Sequence, residues 1–259
     1  MDMIDDLYSA LKKLPQVDAL ALGGSRAGGR NDKSSDYDLY VYLTSPLDIE
    51  SRRSAIVPLC QKAEIGNHYF EEEDNIILAD GVYVDIIYRF IGMFDEMITA
   101  VIEGKCVRNG YSTCFWHNIK TSQVIFDKSG EYTRLREKAQ CDYPPKLKAA
   151  IIERNMALLT GNLPSYDKQI SKAYYRHDYV SVNHRVAAFL ESYFDVIFAL
   201  NEMTHPGEKK LIQICEAECK ILPANFKDNL MKLFEYMFKY DVSDILENMV
   251  AELKKVIYK

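Results

Sequence analysis

The chain has 259 residues, 48% of them hydrophobic, and a formal net charge of −6 at pH 7, enough apolar material to bury a core in one large or two modest domains. The acidic balance argues against broad binding to nucleic acid, which depends on Lys and Arg neutralising phosphates, and favours a small substrate over a polymer. The amino terminus lacks a signal-peptide pattern, no apolar run is long enough for a membrane span, and none of the six cysteines forms a Cys-x-x-Cys pair, so the reading is a reduced protein of the cytoplasm.

Ile4, Leu7, Leu11 and Leu14 have helical spacing. Leu20-Ala21-Leu22 reads as the end of a strand that runs into Gly23-Gly24-Ser25. Such a turn lets backbone N–H groups approach a phosphate, with the Ser25 hydroxyl as a further donor and Arg26 and Arg30 as nearby positive charge. A second strand follows over Asp36-Tyr37-Asp38-Leu39-Tyr40-Val41-Tyr42-Leu43. Aspartate is depleted in strands, so two in one strand call for a reason. Side chains at i and i+2 share a face, and Asp36 and Asp38 would together present hard oxygen ligands to a divalent cation.

A helix around 47–64, interrupted near Pro58, comes next, and then the acidic run Glu71-Glu72-Glu73-Asp74. Such a run is ordinarily a solvated loop or edge; the alternative is that one of the four serves as a base, and the sequence does not select it. Ile76–Ala79 and Val82–Tyr88 are β-rich runs joined by Asp80-Gly81, a strong hairpin signal. In the second run Tyr83, Asp85, Ile87 and Arg89 share one face, and Val82, Val84, Ile86 and Tyr88 the other. Asp85 is the only acid inside that strand, so it is either solvated at an edge or does chemistry.

Gly24-Ser25-Arg26-Ala27-x-Gly29 and Ser35-Asp36-Tyr37-Asp38-Leu39 resemble the signature of the DNA polymerase beta-type nucleotidyltransferase superfamily, in the form found in small bacterial members such as aminoglycoside and lincosamide nucleotidyltransferases. The resemblance implies a small mixed sheet carrying a metal-dependent site. In it Asp36 and Asp38 hold one or two Mg²⁺, and Asp85 is the third carboxylate, as metal ligand or as general base. Gly24, Ser25 and Arg26 contact a nucleotide, ATP or another NTP. Transfer of a nucleoside monophosphate builds charge on the α-phosphate and on departing pyrophosphate, so positioning and cation clamping supply most of the catalysis.

Ile91–Gly104 reads as a helix, and Trp116–Asp127 as a further strand or a crossover. From Pro144-Pro145 onward the periodicity is helical: a helix ending near Gly161, one over 168–201 with a possible break, and others near 208–220, 225–240 and 242–257. In the long segment Ala173, Val180, Ala187, Leu190, Phe194 and Ile197 form the expected buried stripe. His177, His184, Glu191 and Asp195 fall near one face, either its water-facing side or a contact surface for a substrate. Tyr174, Tyr175 and Trp116 are candidates to stack on a base or sugar, or else core and rim residues. Cys215 and Cys219 stand at i, i+4, with no compact set of zinc ligands around them.

The resulting fold is α+β, with a small mixed-sheet nucleotidyltransferase domain over 1–143 and a C-terminal helical bundle over 144–259. The resemblance places basic groups on such bundles, which makes Lys209 and Lys210 candidate phosphate contacts. The function it implies is a Mg²⁺-dependent nucleotidyltransferase, most simply an adenylyltransferase, moving NMP to a hydroxyl of a small acceptor such as an aminoglycoside-like antibiotic. Modification of a protein or tRNA and a non-catalytic nucleotide-binding or antitoxin-like regulator are the alternatives; nothing in the sequence specifies the acceptor or an oligomeric state.

Overall fold

In the computed structural model, which describes residues 3–24 and 36–258, the chain divides into two compact units. One comprises residues 1–99 and 116–141, the other 100–115 and 142–259. The second unit thus takes a segment, 100–115, that precedes the run of helices by some thirty residues of sequence.

The first unit is built on a six-stranded sheet: β1 (Val17–Leu22), β2 (Tyr37–Leu43), β3 (Cys60–Asn67), β4 (Glu73–Leu78), β5 (Tyr83–Phe90) and β6 (Gln123–Asp127), in the order β3-β4-β5-β2-β1-β6. β2 and β5 are parallel and the other pairs antiparallel, so the sheet is mixed. One face is apolar. Leu20, Leu39, Val41, Ile76, Val84 and Ile86 pack there with Ile4, Leu7 and Leu11 of α1 (Met3–Leu11) and Ile56 of α2 (Ile49–Ile56). On the other face Tyr42 meets Phe94 of α3 (Ile91–Ile102) and Tyr132 of α5 (Glu131–Lys138) at ring-centroid distances of 5.9 and 4.4 Å. Trp116 of α4 (Cys114–Thr121) is fully buried and donates Nε1–H to the Ala139 carbonyl, which makes it core rather than a stacking platform.

The 47–64 segment departs from the helical reading. α2 ends at Ile56, a single 3₁₀ turn over Val57–Leu59 carries Pro58, and Cys60–Asn67 is strand β3. Proline has no amide hydrogen to continue the helix, and the released chain pairs with β4 as an edge strand. The Asp80-Gly81 hairpin is present, with Gly81 at φ +88° and the Val82 amide donating to Asp80 Oδ1.

The second unit contains α6 (Pro145–Leu159), α7 (Tyr166–Tyr175), α8 (Tyr179–Leu200), α9 (Leu211–Glu218), α10 (Phe226–Tyr236) and α11 (Ser243–Ile257) around one apolar core. The long 168–201 segment is two helices. His177 takes φ +54°, and Asp178 caps the second helix by accepting from the Ser181 amide. This restart resets the helical phase, so the buried stripe of α8 is Val182, Val186, Phe189, Tyr193, Ile197 and Leu200, while Val180 is exposed. Phe194 and Ile197 are buried as the periodicity expects, but Val180 and Ala187 are not. Among the described residues no helix is long and apolar enough to cross a membrane.

Candidate active site

The parallel register of β2 and β5 sets Asp38 directly beside Asp85, and the antiparallel register of β4 sets Asn75 on the other side of Asp85. Directly paired residues point to the same face and stand about 4.8 Å apart across strands. The row Asn75, Asp85, Asp38 therefore crosses three strands on one face of the sheet. Asp36 lies one residue before β2 and is exposed. Asn75 Nδ2 donates to Asp85 Oδ1 at 2.9 Å.

The turn glycines are fitted to this row. Gly23 donates its amide to the Asp38 carbonyl at 2.8 Å, and Gly24 takes φ +64°. A Cβ on Gly24 would fall on the Asp38 carboxylate, and one on Gly23 would fall on the Tyr40 ring. Glycine is required at both positions because the backbone passes where a side chain would stand. Ser25, Arg26 and Arg30 lie outside the described residues.

The next row along the same face is Glu73, Ile87 and Tyr40, and the row beyond it holds Arg89 and Tyr42. This deeper end is closed by polar contacts. Glu71 accepts from Arg89 Nη2 and Nε at 2.7 and 3.0 Å, the guanidinium lies 4.1 Å from the Tyr40 ring centroid, and Asn118 Nδ2 donates to the Tyr40 hydroxyl at 2.9 Å. Burial works against ionising Tyr40, and its hydroxyl is raised above the usual range.

The structure separates the four acids of the 71–74 run. Glu71 is tied to Arg89, and Glu72 pairs with Arg52 at 3.2 Å. Asp74 is fully buried on the opposite, apolar face, where it accepts from the Gly66 amide and the Tyr88 hydroxyl at 2.7 Å each. Glu73 shares the carboxylate face, diagonal to Asp85, with 8% of its surface exposed, while Glu71 reaches the same face further along, where it is held by Arg89. Burial, the Asp85 charge and the Glu71 charge all raise its carboxyl above the ordinary value. Alternation is the signal that separates Glu73 from its neighbours, but it could be applied only once the first residue of β4 was known.

The donor set suits a hard divalent cation, since Asp38 and Asp85 offer carboxylate oxygens side by side. Among the described residues no group of three His, Cys, Asp or Glu side chains is gathered as a metal cage. Mg²⁺ seldom uses such a cage; it is commonly held by one or two carboxylates together with substrate phosphates and water.

Lys209 and Lys210 belong to the second unit. They sit in the turn before α9, with Lys210 as its N-terminal cap residue in a left-handed conformation. Lys210 lines a cavity of about 510 Å³ with Tyr111, Glu191, Glu208, Phe194 and Phe234. Burial, then Glu191 and Glu208, push the Tyr111 hydroxyl up to about 12. Of the polar face expected on the long helix, Asp195 is buried rather than water-facing: it accepts from the Ser112 amide and Asn155 Nδ2, both at 3.1 Å. In the first unit a cavity of about 590 Å³ lined by Lys13, Asp48, Glu50 and Ser54 contains none of the motif residues.

Residues 4–106 match the nucleotidyltransferase domain family. This span holds β1 to β5 and every member of the Asp38–Asp85–Asn75 row, so this part of the chain carries a nucleotidyltransferase domain. The solved structures similar to it include a nucleotidyltransferase-like protein from Exiguobacterium sibiricum, at 10% identity, covering 99% of this chain and 73% of that one, with a TM-score of 0.46. A spectinomycin adenyltransferase from Enterococcus faecialis, solved with ATP and spectinomycin, is 11% identical over 97% of this chain and 98% of its own, with a TM-score of 0.33. An aminoglycoside 6-adenyltransferase from Bacillus subtilis is 9% identical over 100% and 92%, with a TM-score of 0.30. No curated protein sequence matches this one.

Proposed function

We propose that the protein is a Mg²⁺-dependent nucleotidyltransferase of the cytoplasm, most simply an adenylyltransferase. It would move NMP from ATP or another NTP to a hydroxyl of a small acceptor, with aminoglycoside-like antibiotics as the first class to try. The observation that carries this reading is the direct cross-strand pairing of Asp38 with Asp85 on one sheet face, under a turn whose Gly24 packs its backbone against the Asp38 carboxylate.

Asp36, Asp38 and Asp85 would hold the cation, which when bound supplies charge neutralisation for the α-phosphate and the leaving pyrophosphate. Gly24 and its neighbours Ser25 and Arg26 would bind the phosphates through backbone and side-chain donors. Glu73 is the side chain best placed to take the proton of the acceptor hydroxyl: it shares the face of Asp85, no Arg or Lys among the described residues forms an ion pair with it, and its raised carboxyl holds a proton more readily than an ordinary glutamate. The acceptor oxygen then attacks the α-phosphorus, the bond to pyrophosphate breaks, and the proton passes to Glu73. Lys209 and Lys210, on the helical unit, are proposed contacts to the triphosphate.

Pyrophosphate release from each NTP with Mg²⁺, measured across aminoglycosides, lincosamides, nucleosides and tRNA, tests the reading. Turnover on a small acceptor that vanishes in Asp38→Asn supports it. Equal release by wild type and Asp38→Asn on every acceptor would remove it.

A further inference from the structure

The sheet face of Asp38 and Asp85 carries a chain of side-chain hydrogen bonds that the transfer chemistry above does not use. Asn75 Nδ2 donates to Asp85 Oδ1 at 2.9 Å, Asn67 Nδ2 donates to Asn75 Oδ1 at 2.7 Å, and the Tyr69 amide donates to Asn67 Oδ1 at 3.0 Å. Its direction is fixed at one end by chemistry. An ionised carboxylate only accepts, so Asn75 must turn its NH₂ group to Asp85, which leaves its oxygen for Asn67. Asn67 in turn must donate to Asn75, and its own oxygen is left for the Tyr69 amide. All bonds run head to tail toward Asp85, an arrangement in which each polarises the next.

We propose that Asn75 is a positioning residue for Asp85, and that Asn67 reinforces it from the β3–β4 turn. The proposal rests on the reading of Asp85 as a metal-holding carboxylate. Asp85 sits mid-sheet between Asp38 and Asn75, with Glu73 diagonal to it on the same face. Two acids and no cation among these neighbours would turn an unrestrained carboxylate toward water. The amide occupies Oδ1, so the carboxylate plane is set before substrate arrives, and Oδ2 is the oxygen left to a cation. Asparagine is the side chain that does both jobs at this position. It donates to Asp85 and accepts from Asn67 without adding a third negative charge to the row. Outer partners that orient a metal-holding carboxylate have measurable weight, commonly 10–100-fold in metal affinity or activity.

The chain also has an outer end. Asn67 closes a turn whose next residues, Tyr69 and Phe70, are 87% and 91% exposed. Asn67 and Asn75 give a disturbance of that turn a side-chain route to Asp85, and mutation can cut it at either residue.

The test compares Asn75→Ala, Asn67→Ala, their double mutant and Asn75→Asp, with two readouts. The first is steady-state turnover. Asn75→Ala should lower kcat about 10–100-fold, with KM for the NTP and the melting temperature near wild type. Asn67→Ala should give a smaller loss, and the double mutant should be no worse than Asn75→Ala, since both act through one bond. Asn75→Asp keeps the shape of Asn75 and the link to Asn67 but loses the donor to Asp85, so it should lose kcat at least as severely as Asn75→Ala; a packing role would leave it close to wild type. The second readout is independent of turnover: calorimetric titration of Mg²⁺ in the presence of a non-hydrolysable ATP analogue, where Asn75→Ala should bind the metal more weakly. If Asn75→Ala does not fold, the Asn75→Asp and Asn67→Ala pair decides the question on both readouts. Wild type that takes up no Mg²⁺ with the analogue overturns the metal reading of Asp85 and this proposal with it. Wild-type binding and turnover alongside unchanged Asn75 variants, or additive losses at Asn67 and Asn75, overturn this proposal alone.

Discussion

Glu73 and Asp74 are neighbours in sequence and opposites in the fold. Asp74 points into the apolar side of the sheet, fully buried, with the Gly66 amide, the Tyr88 hydroxyl and the Arg52 guanidinium around it. Glu73 points to the other side, diagonal to Asp85, with no ion pair to an Arg or Lys among the described residues. One carboxylate is satisfied and held in place, while the other is the one that the proposed reaction would use as a base. The difference comes from strand alternation alone. It shows that in a sheet whose two faces differ, the parity of a residue's position decides whether a charge is structural or available.

The largest test of this contrast lies on the face of Asp38 and Asp85. Asp38→Asn and Asp85→Asn should each reduce turnover by about 10³-fold or more, with the melting temperature unchanged or raised, because each removes one of two adjacent like charges and a preorganised electrostatic contact to the reacting phosphate. A loss of stability in step with activity would move these residues to the structural side.

On the packed face the expectation reverses. Arg52 is 1% exposed, lies 4.5 Å from the Tyr88 ring centroid and pairs with Glu72 and Asp74. Its replacement by Ala strands a buried carboxylate and should cost about 3–5 kcal/mol in denaturant unfolding. Turnover per folded molecule should stay near wild type.

The helical unit offers a third carboxylate to compare. Burial pushes the Asp195 carboxyl up to about 6 from 3.8, against the hydrogen bonds of Ser112 and Asn155, with the Tyr143 hydroxyl close enough to feel its charge. A carboxyl raised in the fold binds its proton more tightly there than in the unfolded chain. Stability therefore falls as pH rises through roughly 4 to 6, by up to about 3 kcal/mol, and is flat above that window on account of this group. Unfolding titrations at pH 5 and pH 7.5 should show this slope in wild type and a reduced one in Asp195→Asn.

The smallest of the four effects sharpens the comparison most. Glu73→Gln should reduce kcat by roughly 10²-fold, the low end for a general base, and leave KM for the NTP and the stability near wild type. Asp74→Asn should do the converse. If both variants act alike, the parity argument fails at its own strand.

Much of this site was legible before any coordinates. The Gly23-Gly24 turn, the Asp36-x-Asp38 strand and Asp85 in the second arm of an Asp-Gly hairpin all stand in short local patterns, and those patterns also pointed to the α+β class and the mixed sheet that the structure has. The misreadings were of phase. Helical spacing on both sides of Pro58 predicts an interrupted helix, whereas the helix ends at Ile56 and β3 follows the Pro58 turn as an edge strand. The His177–Asp178 corner restarted α8, so the expected stripe placed Val180 inside and Asp195 outside. In both places a few backbone angles set the direction of everything downstream, and composition carries little of that information.

Sequence by itself singled out the carboxylates of the proposed site, because Asp in a β-rich run next to a glycine turn is a local, costly choice that few other demands explain. It also determined that the C-terminal half is helical, through periodicity that survives errors of phase. Tertiary structure alone decided that Asp85 lies beside Asp38 rather than elsewhere along the strand, that Glu73 and not its three neighbours faces them, and that Asn75 completes the row. Those facts depend on the register between strands separated by some forty residues. Register is set by how whole faces of the sheet pack, which no single segment encodes.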